Sequence, residues 1–464
     1  MGIDLLSHPI LRRLAMSRTL RPFLLLTGLA AFVILIASGL IGTPVGNRNA
    51  SIILIWILWF SALMIILIPL GGRIWCLACP IPAISEWLSR GAIVEKKNTL
   101  INFGLRWPEK LEGIWLQNLA FLGVAAFSPL IFTRPAVTAV ALLLFVFLAI
   151  VMDLSFKKSR PGRLFCRYLC PIGGFVGVYS SLGMLEVRSK DKGICKGCTL
   201  KTCMKGNDKG YGCPWLVYPG GLEKNAYCGV CLECIKACAY SNMTVQTRPP
   251  GRDLLRQPRL DEAFKGFIML GSAGVYTAAY FGWWNALKDL ITFSSDIFFA
   301  SGLHWNRVAI FTLLLLATTI VALPAMHLGF SWLSRRAGDR DVPLRNVFID
   351  YAYLAIPLGF MAWAGFVAGM LLINGSYIAP VLSDPFGFGW NLFGTANLPW
   401  TPYYTGLVPG VQLVLLLAGG VMSASVIYSV SKKHFKEKAL WAAVPMVLEA
   451  SVLTMLMASL SVMP

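Results

Sequence analysis

Eight of the chain's twelve cysteines lie between Cys195 and Cys238, and the last four read C-x2-C-x2-C-x3-C, at Cys228, Cys231, Cys234 and Cys238. That is the spacing of bacterial cubane iron–sulfur sites. Three thiolates on a tight loop take three corners of one cluster, and the fourth reaches across to a neighbouring one. The first run is less regular: Cys195-x2-Cys198 is followed by Cys203 after four residues and by Cys213-Pro214 after nine more. The simplest assignment crosses over. Cys195, Cys198, Cys203 and Cys238 surround one [4Fe-4S] cluster, and Cys213, Cys228, Cys231 and Cys234 surround a second. C-x2-C pairs also bind zinc, but zinc ribbons pair two such units and have no use for the third cysteine or its x3 partner. The chemistry to expect is the transfer of single electrons.

The other four cysteines belong to an internal repeat. Gly72-Arg73-Ile74-Trp75-Cys76-x2-Cys79-Pro80-Ile81 is matched by Gly162-Arg163-Leu164-Phe165-Cys166-x3-Cys170-Pro171-Ile172, each copy closing an apolar hairpin. Both hairpins point the same way, so folding is able to bring four thiols together. Proline after each second cysteine suits the first turn of a helix, whose free amides and positive dipole end would stabilise thiolates. Cys76, Cys79, Cys166 and Cys170 are therefore candidates for a third iron–sulfur or other metal centre, with redox-active or purely structural thiols as the alternatives.

These groups sit in a chain of 464 residues that is 56% hydrophobic and only 14% charged. A soluble domain has about a quarter of its residues charged, so most of this chain belongs in lipid. Nine apolar stretches of membrane-spanning length fall at about 22–42, 51–70, 113–132, 136–153, 265–284, 308–330, 347–373, 411–430 and 439–460. The basic residues gather in alternate loops. Arg12, Arg13, Arg18 and Arg21 precede the first span; Arg73, Arg90, Lys96, Lys97, Arg106 and Lys110 follow the second. Lys157, Lys158, Arg160 and Arg163 follow the fourth, Arg335, Arg336, Arg340 and Arg345 the sixth, and Lys432, Lys433, Lys436 and Lys438 the eighth. The remaining loops carry only Arg48, Arg134, Lys288 and Arg307, and none lies between 375 and 410. By the positive-inside rule the N-terminus and the cysteine-rich segment are cytoplasmic and the C-terminus is outside. The outer loop Asn374–Gly410 carries Trp390, Trp400, Tyr403 and Tyr404, as an interfacial aromatic belt or a docking surface would.

The same placement accounts for the net charge of +19 without nucleic acid, because no basic face remains once the loops are assigned. A disulfide scaffold would spread its bridges over an exported domain, whereas all the cysteines here fall between Cys76 and Cys238. The first apolar run is too long for a signal peptide and reads as a retained anchor. Leu6 stands where N-myristoylation needs Ser or Thr. Glu449, about ten residues into the ninth span, is an ionisable group near mid-membrane and a proton-path or quinone candidate, as is Asp350 with Tyr351 and Tyr353. Haem b is not expected, since His304 and His327 lie at opposite ends of one helix and His8 and His434 in loops. No Ser-His-Asp set, Walker loop or dinucleotide fingerprint occurs in a fitting context.

Tandem C-P motifs on transmembrane hairpins followed by a ferredoxin-like segment resemble the NapH/NosR/CcoG group of membrane polyferredoxins, over roughly residues 20–250. The chain departs from that pattern at Cys76-x2-Cys79, in its stretched first ferredoxin half, and at Ala239, where proline is usual. The resemblance implies a quinol-linked electron-transfer subunit of a bacterial inner-membrane complex, feeding a reductase or multihaem cytochrome. It also allows a CcoG-like metal-reducing assembly factor or a redox-driven ion-translocating subunit. The expected architecture is an α-helical polytopic membrane protein of about nine helices with an inserted 2x[4Fe-4S] domain. Its parts are a four-span module over 1–186, a cytoplasmic ferredoxin-like domain over 187–260 and five further spans over 261–464.

Overall fold

A computed structural model describes residues 2–94, 103–129, 131–156, 162–281, 305–338 and 341–462. Of the residues singled out above, Lys96, Lys97, Lys157, Lys158, Arg160, residues 282–284, Lys288, His304 and Arg340 lie outside the described residues.

The chain is mainly helical, and each apolar stretch contains a helix. After the short amphipathic α1 (Pro9–Met16) come α2 (Leu20–Ile41), α3 (Ala50–Gly71), α4 (Trp115–Phe127), α5 (Pro135–Ser155) and α6 (Pro171–Tyr179). The C-terminal part holds α7 (Leu260–Phe281), α8 (Trp305–Ala337), α9 (Leu344–Tyr351), α10 (Ala355–Asn374), α11 (Val408–Phe435) and α12 (Ala439–Val462). Among the described residues six helical stretches are long and apolar enough to cross a membrane, the last of them containing both α11 and α12. The third expected span is shorter than its apolar run: α4 stops at Phe127, just before Pro129, which has no N–H to carry the ladder on to the Ala125 carbonyl.

One core runs through the N-terminal hairpins and the C-terminal helices. Trp363 of α10 meets Phe60 of α3 at 5.5 Å, Phe175 of α6 at 5.9 Å and Tyr276 of α7 at 5.3 Å. Its indole N–H donates to the Met269 carbonyl over 2.9 Å, satisfying the polar handle of an otherwise apolar plug. Helix α10 is apolar on all sides and is accordingly buried along most of its length, unlike the lipid-facing α2.

The cysteine-rich segment is bracketed by a two-stranded antiparallel sheet. Strand β1 (Leu185–Ser189) comes just before Cys195 and β2 (Met243–Thr247) just after Cys238, with Val187 opposite Val245. Their inward side chains pack with Cys203 and Cys234 in a small core of their own. The N-terminus adds to this sheet: Ile3 and Thr247 exchange hydrogen bonds, and Asp4 bridges to Gln246. The N-terminus and the cysteine-rich segment therefore lie on the same side of the helices.

Candidate functional site: three cysteine tetrads

Each repeat copy reaches its cysteines by a sharp turn. Gly72, at φ +60, breaks α3 in a conformation that L side chains avoid, and the one-turn helix Trp75–Ala78 then presents Cys76. In the second copy Asp153 accepts from the amides of Leu164 and Phe165 at 2.7 and 3.3 Å, starting the short helix Leu164–Tyr168 that carries Cys166. Cys170 then caps α6, accepting from the Gly173 amide over 3.2 Å with Pro171 at the first helical position, as the sequence suggests. The first copy departs from that expectation. Pro82 disfavours helix at Ile81, so Pro80 lies in a turn and the helix starts only at Ala83.

The four membrane-edge cysteines come together. Burial pushes the Cys79 thiol up to about 12, with Cys76 and Cys170 close enough to push it the same way. Cys166 is raised by burial first, and then by Cys170 and Cys79. Arg163 opposes both shifts. It is 1% exposed and donates to the Cys76 carbonyl over 2.6 Å and to Glu86 over 2.9 Å.

The eight later cysteines divide into two groups, along the lines of the crossed-over assignment. Cys203 is raised to about 11 by burial and by Cys238, Cys195 and Cys198. Cys213 is raised to about 12 by burial and by Cys231 and Cys228, and Cys234 is raised by burial and by Cys231, Cys228 and Cys213. Cys213, Cys228, Cys231 and Cys234 line one cavity of about 350 Å³ whose wall is otherwise mainly apolar. Val230 and Leu232, at φ +50 and +63, bend the backbone between these cysteines into a tight loop. Around the other tetrad, peptide and amide N–H groups aim at sulfur. Asn242 donates from its side chain to Cys195 over 3.2 Å and from its backbone to Cys238 over 3.3 Å, and the Lys201 amide donates to Cys198 over 3.4 Å.

A cubane cluster needs four thiolates around a pocket, a dry wall and N–H donors to sulfur. The second tetrad supplies the pocket and wall, and the first supplies the donors. Among the described residues no three His, Cys, Asp or Glu side chains converge tightly enough to hold a single metal ion.

Arg73 and Trp215 stand between the membrane-edge tetrad and the cavity. Arg73 influences both Cys170 and Cys228, lies 4.1 Å over the Trp215 ring and donates to the Ala226 carbonyl. Trp215 is 2% exposed and packs in one apolar cluster with Cys166, Cys76, Cys170 and Cys213. It crosses Gly229 so closely that a Cβ there would stand 1.9 Å from the indole nitrogen, which is why the residue after Cys228 is glycine.

Buried ion pairs fix this assembly to the helices. Glu86 accepts from Arg21 at 2.6 Å, from Arg163 at 2.9 Å and from Arg90. Glu233, beside Cys234, pairs with Lys236 at 3.0 Å and faces Arg21 at 3.8 Å. Lys224 donates to Glu262 of α7 over 2.6 Å, and Tyr227 and Tyr353 donate to the same carboxylate. The arginines that mark topology in the sequence are therefore also buried counter-charges. Their acidic partners gave no local signal, although the repeated G-R dipeptide did point to Arg73 and Arg163.

Glu449 and Asp350 lie away from the cysteines. Glu449 is bonded to His327, and Asp350 to Lys433 at 2.6 Å and His434 at 2.7 Å.

A family model described as a 4Fe-4S binding domain matches residues 52–106 and 137–188, the two hairpins that carry Cys76, Cys79, Cys166 and Cys170. The methylamine utilization ferredoxin-type protein MauN of Methylobacillus flagellatus is 32% identical over 142 residues, 28% of this chain and 46% of that protein. The chain thus spans less than half the length of that relative. No solved structure matches. Together these support an iron–sulfur protein of ferredoxin type whose cluster-binding character extends into its membrane hairpins. Neither singles out the NapH/NosR/CcoG group.

Proposed function

We propose that this chain is the membrane-bound iron–sulfur subunit of an electron-transfer complex, carrying electrons between the quinone pool and a partner reductase or cytochrome. Three [4Fe-4S] clusters would be held by Cys76/Cys79/Cys166/Cys170, Cys213/Cys228/Cys231/Cys234 and Cys195/Cys198/Cys203/Cys238. When bound, such clusters accept and give up single electrons at potentials set by hydrogen bonding, charge and burial. The observation that carries the reading is the contiguity of the tetrads. Arg73 and Trp215 stand between the membrane-edge cysteines and the next group, Trp215 packs with Cys76, Cys166, Cys170 and Cys213, and Cys203 and Cys234 share one core.

The chain's own residues keep these sites dry and charge-balanced. Arg163 and Arg73 place positive charge beside sulfur, and the glycines facing Arg73 on α6 leave room for its side chain. Basic loops on the side shared by the N-terminus and β2 favour a cytoplasmic location for the clusters in a bacterial inner membrane.

The test is anaerobic. Purified protein reduced with dithionite is mixed with a short-chain quinone while cluster absorbance is followed. Electron transfer to the pool predicts reoxidation at a rate proportional to quinone. Reduced centres that persist under excess quinone would overturn the quinone link. Copper retained at the membrane-edge tetrad in place of iron would favour an assembly factor instead.

A further inference from the structure

The C-terminal helices contain a buried pair that the cluster chemistry does not use. His327 of α8 is 0% exposed and Glu449 of α12 is 1% exposed. His327 Nδ1 lies 2.9 and 3.1 Å from the two carboxylate oxygens of Glu449, and its Nε2 lies 3.0 Å from the Phe348 carbonyl. A carbonyl only accepts, so Nε2 carries a hydrogen. A neutral ring would then turn the bare lone pair of Nδ1 toward a carboxylate at hydrogen-bond distance. Two acceptors do not sit that close without a proton between them. The geometry therefore requires one proton beyond those of a neutral imidazole and an ionised carboxylate. That proton also removes the net negative charge from a site about 15 Å along α12, near the middle of a bilayer.

Among the described residues no other charged group competes for it. Helix α7 presents Phe267, and its own Asp261, Glu262 and Lys265 turn to Arg259, Lys224 and the Phe121 ring. Helix α9 presents Phe348, while its Asp350 binds Lys433 and His434. Glu449 is the sole titratable residue of α12.

A line of hydroxyls leads from this pair toward the cysteine-bearing side. Ser331, one turn from His327 on α8, is fully buried, and its Oγ has no partner. Ser334 follows, donating to the Ala442 carbonyl over 2.7 Å and bonded to Tyr351. Tyr351 in turn shares a 2.7 Å hydrogen bond with Ser431. Next to Tyr351 in the chain, Asp350 is 7% exposed and binds His434 and the half-exposed Lys433. An unpartnered buried hydroxyl is costly, and Ser331 stands between His327 and Ser334 on one face of α8.

We propose that His327 and Glu449 form an internal proton-binding site, filled from the side of the cysteine-rich segment through Asp350, Tyr351, Ser334 and Ser331. The bound species is one proton taken from water. The reading is independent of cluster occupancy.

The test uses the full-length protein in liposomes with ¹⁵N-labelled histidine, one of only four in the chain. Solid-state NMR of the ring nitrogens, assigned with His327→Gln, is combined with infrared spectroscopy of the protonated-carboxyl band, assigned with Glu449→Gln. The expected result at pH 7 is either a doubly protonated His327 ring or a protonated Glu449 carboxyl. A neutral His327 beside an ionised Glu449 would overturn the site, and the unmodified protein suffices to show it. For the route, Ser331→Ala should slow hydrogen–deuterium exchange of that proton at least about tenfold, whereas Ser461→Ala should not. Equal rates in the two variants would overturn the route.

Discussion

Glu86→Gln removes the charge on which three buried guanidinium groups converge. Arg21, Arg90 and Arg163 are 2, 5 and 1% exposed, and Glu86 itself is 3% exposed. The amide keeps the shape and one acceptor oxygen, so the loss is almost purely electrostatic. Removing one partner of a buried pair costs about 3–5 kcal/mol, because the remaining charge is left without compensation. Three cations hydrogen-bond to this one carboxylate; Glu233, 3.8 Å from Arg21, also acts on Arg90, and Asp153 acts on Arg163. The upper half of that range is therefore expected, roughly a thousandfold in the folding equilibrium. Denaturant titration of the detergent-solubilised protein, followed by tryptophan fluorescence, measures it. Glu86→Gln combined with Arg90→Gln should recover part of the loss, since one uncompensated cation disappears. A loss below about 1 kcal/mol, the value of an exposed pair, would refute the reasoning.

Three further outcomes follow from the same geometry. Burial works to raise the Glu233 carboxyl, but Arg21 and Lys236 outweigh it and hold it below the usual range. Its contribution is complete above the ordinary glutamate value of about 4.3 and is lost as pH falls through the lower folded value. Stability measured from pH 6 to pH 3 should drop more steeply in the native protein than in Glu233→Gln. Arg73→Met removes a positive charge beside both Cys170 and Cys228. It should lower the reduction potential of at least one centre by tens of millivolts, as expected for roughly 1–2 kcal/mol of Coulomb energy, read by EPR potentiometry. Asn242→Ala deletes the 3.2 Å donation to Cys195. It should lower the potential of the Cys195 centre alone, and an unchanged potential would show that this N–H does not act on the cluster.

The spacing of Cys228, Cys231 and Cys234 shows that these three lie close together, and in the fold they line one pocket with Cys213, because short-range loop geometry dictates which sulfurs face one space. The apolar runs likewise located the helices, since length and hydropathy are local properties. What spacing could not show was the set of long-range partners. Glu86 meets Arg163 across 77 positions and His327 meets Glu449 across 122. In the sequence His327 stands out only as a candidate haem ligand, and Glu449 has no visible partner. The arginines of the basic loops carried a topological signal strong enough to hide their second role as buried counter-charges. Proline set two boundaries that hydropathy missed, at Ser128-Pro129 and at Pro80-Ile81-Pro82.

The central claim, three tetrads built for [4Fe-4S] cages, is tested most directly by iron and acid-labile sulfide analysis with EPR on anaerobically purified protein. Three cubanes predict about twelve irons and twelve sulfides per chain, falling to about eight of each when Cys166 and Cys170 are both replaced by alanine. Zinc in place of iron, with no labile sulfide and no EPR signal after reduction, would contradict it.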